Sequence, residues 1–166
     1  MRPLSLVWLT PLLLLAACTL PRDETMVRTF KLKQKSFEEV VTYFDDNTDV
    51  IGLLKTKQKL LRVFNQDDMW KDVEDARLEK LLGSTGVEKV WRSVRSDSDT
   101  PGDTFFRFGK TSGLSISYTI KGFAYLPVPP ASDTLTNSLD NLPQHPRSML
   151  YKPLGENWYL FIQHVD

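Results

Sequence analysis

The chain has 166 residues, of which 41% are hydrophobic; it carries one cysteine and equal numbers of basic and acidic side chains, so its formal net charge is zero. That balance supplies no global field toward nucleic acid or anionic lipid, and a lone cysteine can form no internal disulfide, so stability must come from packing. The length suits one domain built around a single core.

The first segment is the most specific. Met1-Arg2, the apolar run from Leu4 to Leu14 and the small residues before Cys18 have the layout of a secretory signal. A membrane-spanning helix fits less well: the apolar stretch barely reaches the roughly 18 to 20 residues required, and Pro3, Pro11 and Pro21 interrupt or bound it. The tetrapeptide Leu15-Ala16-Ala17-Cys18 resembles the lipobox of bacterial lipoproteins at every position. That resemblance implies removal of residues 1–17, lipidation of Cys18 on its thiol and on its new amine, and attachment to a membrane through that lipid. Three acyl chains, at about 0.8 kcal/mol per buried methylene, exceed the two signals that stable anchoring needs. In enterobacterial-type lipoproteins an Asp after the lipidated Cys retains the protein at the inner membrane. Thr19 stands there instead, so the resemblance implies the periplasmic face of the outer membrane, with the inner membrane as the alternative. Residues 18–26 then form the lipidated N-terminus and a polar tether, and residues 27–166 a single periplasmic domain.

Along that domain, Ser36 and Glu39 make a capping box, and Phe37, Val40, Val41 and Phe44 form an apolar stripe, predicting a short helix from Phe37 to Phe44. The stretch Leu53 to Phe64 mixes helical and strand periodicity, and a strand over Lys59 to Phe64 is the favoured reading. A second amphipathic helix is predicted from Asp67 through Leu82, stopped by Gly83 and Gly86. Val87 to Val94 reads as a strand and Ser96 to Asp103 as a turn-rich loop. Phe105 to Phe108 and Leu114 to Ile120 flank a hairpin turn at Gly109 to Gly113, and a bulge or bend is expected at Gly122. Pro127 to Pro146 is a long excursion with five prolines, a candidate partner-contact segment through Val128 and Leu135. A closing hairpin pairs Met149 to Lys152 with Trp158 to Val165, and both faces of that last strand are apolar, which places it inside the sheet. The expected fold is therefore α+β: an antiparallel sheet of about five strands, two helices on one face and a hairpin-rich C-terminal half.

Chemical motifs are sparse. Gly109-Lys110-Thr111 ends like a phosphate loop but lacks the earlier glycine, with Thr104 in its place, and sits in a predicted turn. No serine has a lysine three residues on, and no Gly-x-Ser-x-Gly elbow occurs. His145 and His164 belong to no metal spacing; His164 reads as a satisfied histidine of the sheet and His145 as a solvated loop residue. Asp67, Asp68, Asp72, Glu74, Asp75 and Glu79 crowd the predicted second helix, where a solvated N-terminal face explains them more simply than a catalytic pair. Two alternating basic runs, Lys31, Lys33, Lys35 and Lys55, Lys57, Lys59, would each line up three ammonium groups if extended. They are the candidate surface for an anionic ligand or partner, against the plainer reading of lysines that protect a sheet edge.

The segments Gly113-Leu-Ser-Ile-Ser, Lys121-Gly-Phe-Ala-Tyr-Leu-Pro, Ser138-Leu-Asp-Asn, Tyr151-Lys-Pro and Glu156-Asn-Trp-Tyr-Leu-Phe look like those of small bacterial envelope proteins to which no activity is attached. The expectation is a lipid-anchored envelope protein that acts by binding, without metal or cofactor. Its partners would be the membrane through the lipid and an envelope protein or glycolipid, not nucleic acid. The alternatives are a small envelope hydrolase with a carboxylate site and an inhibitor or immunity lipoprotein.

Overall fold

The computed structural model describes residues 20–56, 61–65, 70–93, 102–112, 117–140, 142 and 148–165. The lipobox with Cys18, and also Lys57, Lys59, Asp67, Asp68 and His145, lie outside the described residues.

The chain opens with helix α1, Asp23–Asp46, three times the predicted length. Its buried residues Met26, Phe30, Phe37, Val40, Val41 and Phe44 recur at helical spacing, so the apolar stripe begins eleven residues before Phe37. Ser36 is consequently an interior residue, not a cap. Residues 23–26, expected to belong to a tether, instead form the start of this helix, with Asp23 and Met26 buried.

The sheet has eight strands, not five, and every adjacent pair is antiparallel. The strands that were not anticipated are β1, Val50–Lys55, and β3, Trp70–Val73. The ambiguous stretch after the helix is a hairpin of β1 with β2, Leu61–Asn65, pairing Leu53 with Val63. β3 pairs with β2 and takes residues assigned to the second helix. There the rings of Phe64 and Trp70 meet at 5.0 Å, a cross-strand contact that favours the extended form. Helix α2 is Ala76–Thr85; Asp75 caps it by accepting the Leu78 N–H at 2.9 Å, and Gly86 ends it at φ 77°. Gly83 is inside the helix.

β4, Lys89–Arg92, leads to β5, Thr104–Ser112, and β6, Tyr118–Tyr125. Gly109-Lys110-Thr111 is strand and not turn, since Lys110 pairs with Ile120 and Thr111 with Thr119. The register slips between Arg107 and Gly109, making Phe108 the extra residue of a bulge opposite Gly122 and Lys121. Gly122 is required for another reason: a Cβ there would overlap the Phe106 carbonyl oxygen and come within 2.8 Å of Phe161 Cε1. The segment after β6 makes a single 3-10 turn at Ser132–Thr134 and a parallel bridge from Leu135 to Tyr151, and it buries Leu139. β7, Leu150–Gly155, and β8, Trp158–Val165, form the closing hairpin. The strand order is β3-β2-β1-β4-β5-β6-β8-β7, so β8 has a neighbour on each side, as its two apolar faces predict.

Alternation along the strands splits the apolar residues into two clusters. The larger joins Phe30, Phe37 and Phe44 of α1 and Leu78 and Leu82 of α2 to Leu53, Val90, Phe106, Phe123 and Leu160 of the sheet. Phe37 is its hub, 4.8 Å from the Phe123 ring and 5.1 Å from that of Phe106. The smaller cluster holds Phe105, Ile120, Ala124, Leu126, Tyr159 and Phe161, the alternate residues of the same strands, and no helix residue belongs to it.

Candidate functional site

Where the two basic runs fall decides their role. Lys31, Lys33 and Lys35 are in α1, where successive residues turn by about 100°, so Lys31 and Lys35 share a face and Lys33 points away from it. Lys33 Nζ donates to the Thr85 carbonyl at 3.3 Å, a C-terminal carbonyl of α2. Lys31 and Lys35 are exposed. Lys55 ends β1, beside Gly83 of α2, and its N–H donates to the Glu88 carbonyl at 2.8 Å. Lys33 Nζ and Lys55 Nζ thus both lie near the C-terminal end of α2, at Thr85 and Gly83, while Lys31 and Lys35 face outward from α1.

The acidic candidates also separate. Asp72 bonds Arg62 at 2.7 Å across β2 and β3, Asp75 is a helix cap, and Glu79 is exposed in the first turn of α2. His164 Nδ1 lies 3.1 Å from Thr119 Oγ1, its cross-strand partner.

Two arrangements escaped sequence reasoning. The first is a buried charge cluster. Lys121 is on the same pleat as Phe123 and only 1% exposed, so its ammonium must be compensated inside the protein. It donates to the Pro21 carbonyl at 2.9 Å and to Asp140 Oδ1 at 2.7 Å, and it lies 2.7 Å from Asp23 Oδ1. The Asp23 carboxylate, 3% exposed, accepts on its other oxygen from the Leu139 N–H at 2.8 Å and from Lys152 Nζ at 3.1 Å. Its Oδ1 has no aligned hydrogen bond, so the compensation there is Coulombic, from Lys121. Burial alone would push the Asp23 carboxyl pKa up; the Lys121 ammonium beside it, with the bonds from Leu139 and Lys152, outweighs burial and holds the value below the ordinary one. The N–H of Asp23 is shared between both oxygens of Asp140, 3.0 Å each. Asp140 thus satisfies an orphan donor of α1 from 117 residues away and sets a negative charge at the positive end of the helix. Arg22, at the N-cap position, offers no side-chain cap. The cluster therefore ties the start of α1 to β6, β7 and the segment around Leu139.

The second arrangement is a groove of about 490 Å³ on the pleat of the smaller cluster. Trp70, 40% exposed, reaches across from β3 to Gly52, whose missing side chain leaves room for the ring. Trp91 stacks on Phe105 at 5.4 Å and meets Phe161 edge-on at 6.0 Å, which fixes its orientation. Lys89 and Arg107 are paired across β4 and β5 on this pleat, and Lys110 Nζ rests 3.9 Å from the centre of the Tyr118 ring. Arg107 reaches one carboxylate, Glu88, at 3.4 Å, and that side chain is largely in solvent. Burial lowers the Lys89 pKa, and the charges of Arg107 and Lys110 lower it further. The groove is therefore aromatic and cationic together.

The signals for both were present in the sequence. Lys121 is a charge in step with Phe123 and Tyr125 along one strand, and Trp91 and Phe105 are aromatic residues of neighbouring strands.

Comparisons with family models, with curated proteins and with solved structures find no match for this chain.

Proposed function

We propose that the chain is a lipid-anchored envelope protein, attached through Cys18 and facing the periplasm, that binds a component of the envelope on the aromatic face of its sheet. Thr19 favours the outer membrane as the site of anchoring. In this reading both helices cover one face of the sheet, and the other is left to the ligand. The observation that carries it is the groove itself, where Trp70, Trp91 and Tyr118 share one surface with Lys89 and Arg107. Sites for small ligands combine apolar and aromatic walls with a few placed polar groups, and this groove has that composition. A carboxylate hydrolase is less well supported, because Asp23, the one buried acid among the described residues, is tied to Lys121 and Lys152.

Mass spectrometry of the N-terminus tests the anchor: a triacylated Cys18 is expected, and an unprocessed leader would remove it. For the binding face, a photoreactive residue placed at Gln163 in the groove is compared in intact envelopes with one placed at exposed Glu38 on α1. Adducts specific to the Gln163 position are expected; identical adducts from both positions, or none, would overturn the reading.

A further inference from the structure

The ligand of this groove must meet rings and cations at close intervals. Lys89 precedes Trp91 by two residues on one pleat, its Nζ 5.7 Å from the indole, and Lys110 lies against Tyr118. An acyl chain would cover the rings and strip water from the ammonium groups without pairing them, which is unfavourable. An extended peptide that adds to a sheet needs a free edge, whereas these residues lie on a face crossed by inner strands. A polyphosphate chain is drawn by a strongly basic surface, and the chain as a whole is neutral. What satisfies both kinds of group is a molecule with apolar ring faces and acidic edges.

We propose that the groove binds an acidic saccharide chain, its sugar faces on Trp70 and Trp91 and its carboxylates at Lys89, Arg107 and Lys110. This rests on the reading of the aromatic face as the ligand surface and adds the ligand class to it. The charges support it directly. Among the described residues Glu88 pairs with Arg107, at 3.4 Å, and the charges of Arg107 and Lys110 act on Lys89, so the free protein stores like-charge repulsion that a bound polyanion relieves. The bound carboxylates would gain charge-assisted bonds, of which a guanidinium can offer two in parallel.

The test uses the full chain in vesicles of zwitterionic lipid, titrated with an oligogalacturonate and followed by tryptophan fluorescence and calorimetry. Saturable binding is expected, falling several-fold as salt rises from about 50 to 200 mM, because the paired charges are exposed enough to be screened. Trp70→Ala and Lys89→Gln should each weaken it about ten-fold, the loss of one anchor contact. Lys110→Gln, at an exposed position, tests the same charge with little risk to folding. Equal binding of a neutral saccharide of the same length, tighter binding of a single-stranded oligonucleotide, or affinity unchanged in all three variants would overturn the proposal. If oligogalacturonate fails while the adducts at Gln163 persist, the ligand class is wrong and the binding face stands; if both fail, the reading beneath it falls.

Discussion

Lys121 Nζ lies 2.7 Å from Asp23 Oδ1, and both side chains are buried, so the first turn of α1 is fastened to the middle of β6 by a charge pair with almost no access to water. Removing one partner leaves the other charge buried and uncompensated, which costs about 3 to 5 kcal/mol. Lys121→Met should destabilise the protein by that amount in urea unfolding. The double variant Lys121→Met with Asp23→Leu should recover much of the loss, because replacing a buried pair by apolar groups is often close to neutral. A loss below about 1 kcal/mol for the single variant would mean that the pair is hydrated in solution.

The same pair makes stability depend on acid. The folded-state pKa of Asp23 is below its ordinary value of 3.8, so the unfolded chain binds more protons as pH falls through that range. The contribution is complete above the ordinary value and is lost as pH falls through the lower, folded one. Asp23→Asn should lower stability at neutral pH and flatten the acid limb of the curve, measured by denaturant titrations at stepped pH. An unchanged acid limb would assign that limb to other carboxylates.

Gly122 tests the packing around the bulge. A methyl group there would collide with the Phe106 carbonyl oxygen, which belongs to strand backbone and cannot rotate away, and would press on Phe161. Gly122→Ala should therefore cost about 2 to 3 kcal/mol, the upper range for overpacking. Calorimetry would show it as a lowered Tm with the fold retained.

Which features the sequence made legible follows from how local their causes are. The closing hairpin was readable because alternation and the turn after Gly155 lie within 16 residues, and α2 ended where Gly86 supplies a left-handed cap. The first half of α1 was hidden by Lys31, Lys33 and Lys35, whose period of two imitates a strand. The true stripe of Met26, Phe30 and Phe37 runs through them at helical spacing. β3 was hidden because Val73 fits a helical stripe as well as a strand, and the pairing of Trp70 with Phe64 that decides it depends on the neighbouring strand. The charge cluster depends on contacts more than a hundred residues apart, such as Lys152 with Asp23. No local pattern specifies those partners, although a lysine in step with Phe123 requires that some exist. The groove was half legible: Trp91 and Phe105 announce an aromatic strand pair, but which pleat α1 fills is settled only when Phe37 meets Phe106 and Phe123.

Lys89 gives the groove a signature in the free protein. Burial and the charges of Arg107 and Lys110 lower its pKa from 10.5, so over the window just below that value the unfolded chain binds more protons than the folded one. Stability should accordingly rise with pH as Lys89 sheds its proton. Tyr151 acts in the opposite sense around and above pH 10, because burial and Asp103 raise its phenol pKa to about 12 and the unfolded chain sheds that proton first, so the Lys89 effect is read as the difference between parent and variant. Lys89→Gln should be at least as stable as the parent at neutral pH, and the difference should shrink as pH rises toward the ordinary lysine value of 10.5. Denaturant titrations at stepped pH measure both. A variant clearly less stable than the parent at neutral pH would make Lys89 a structural partner. Stability that holds or improves while saccharide affinity falls would mark it as a residue kept for binding at a cost to the fold.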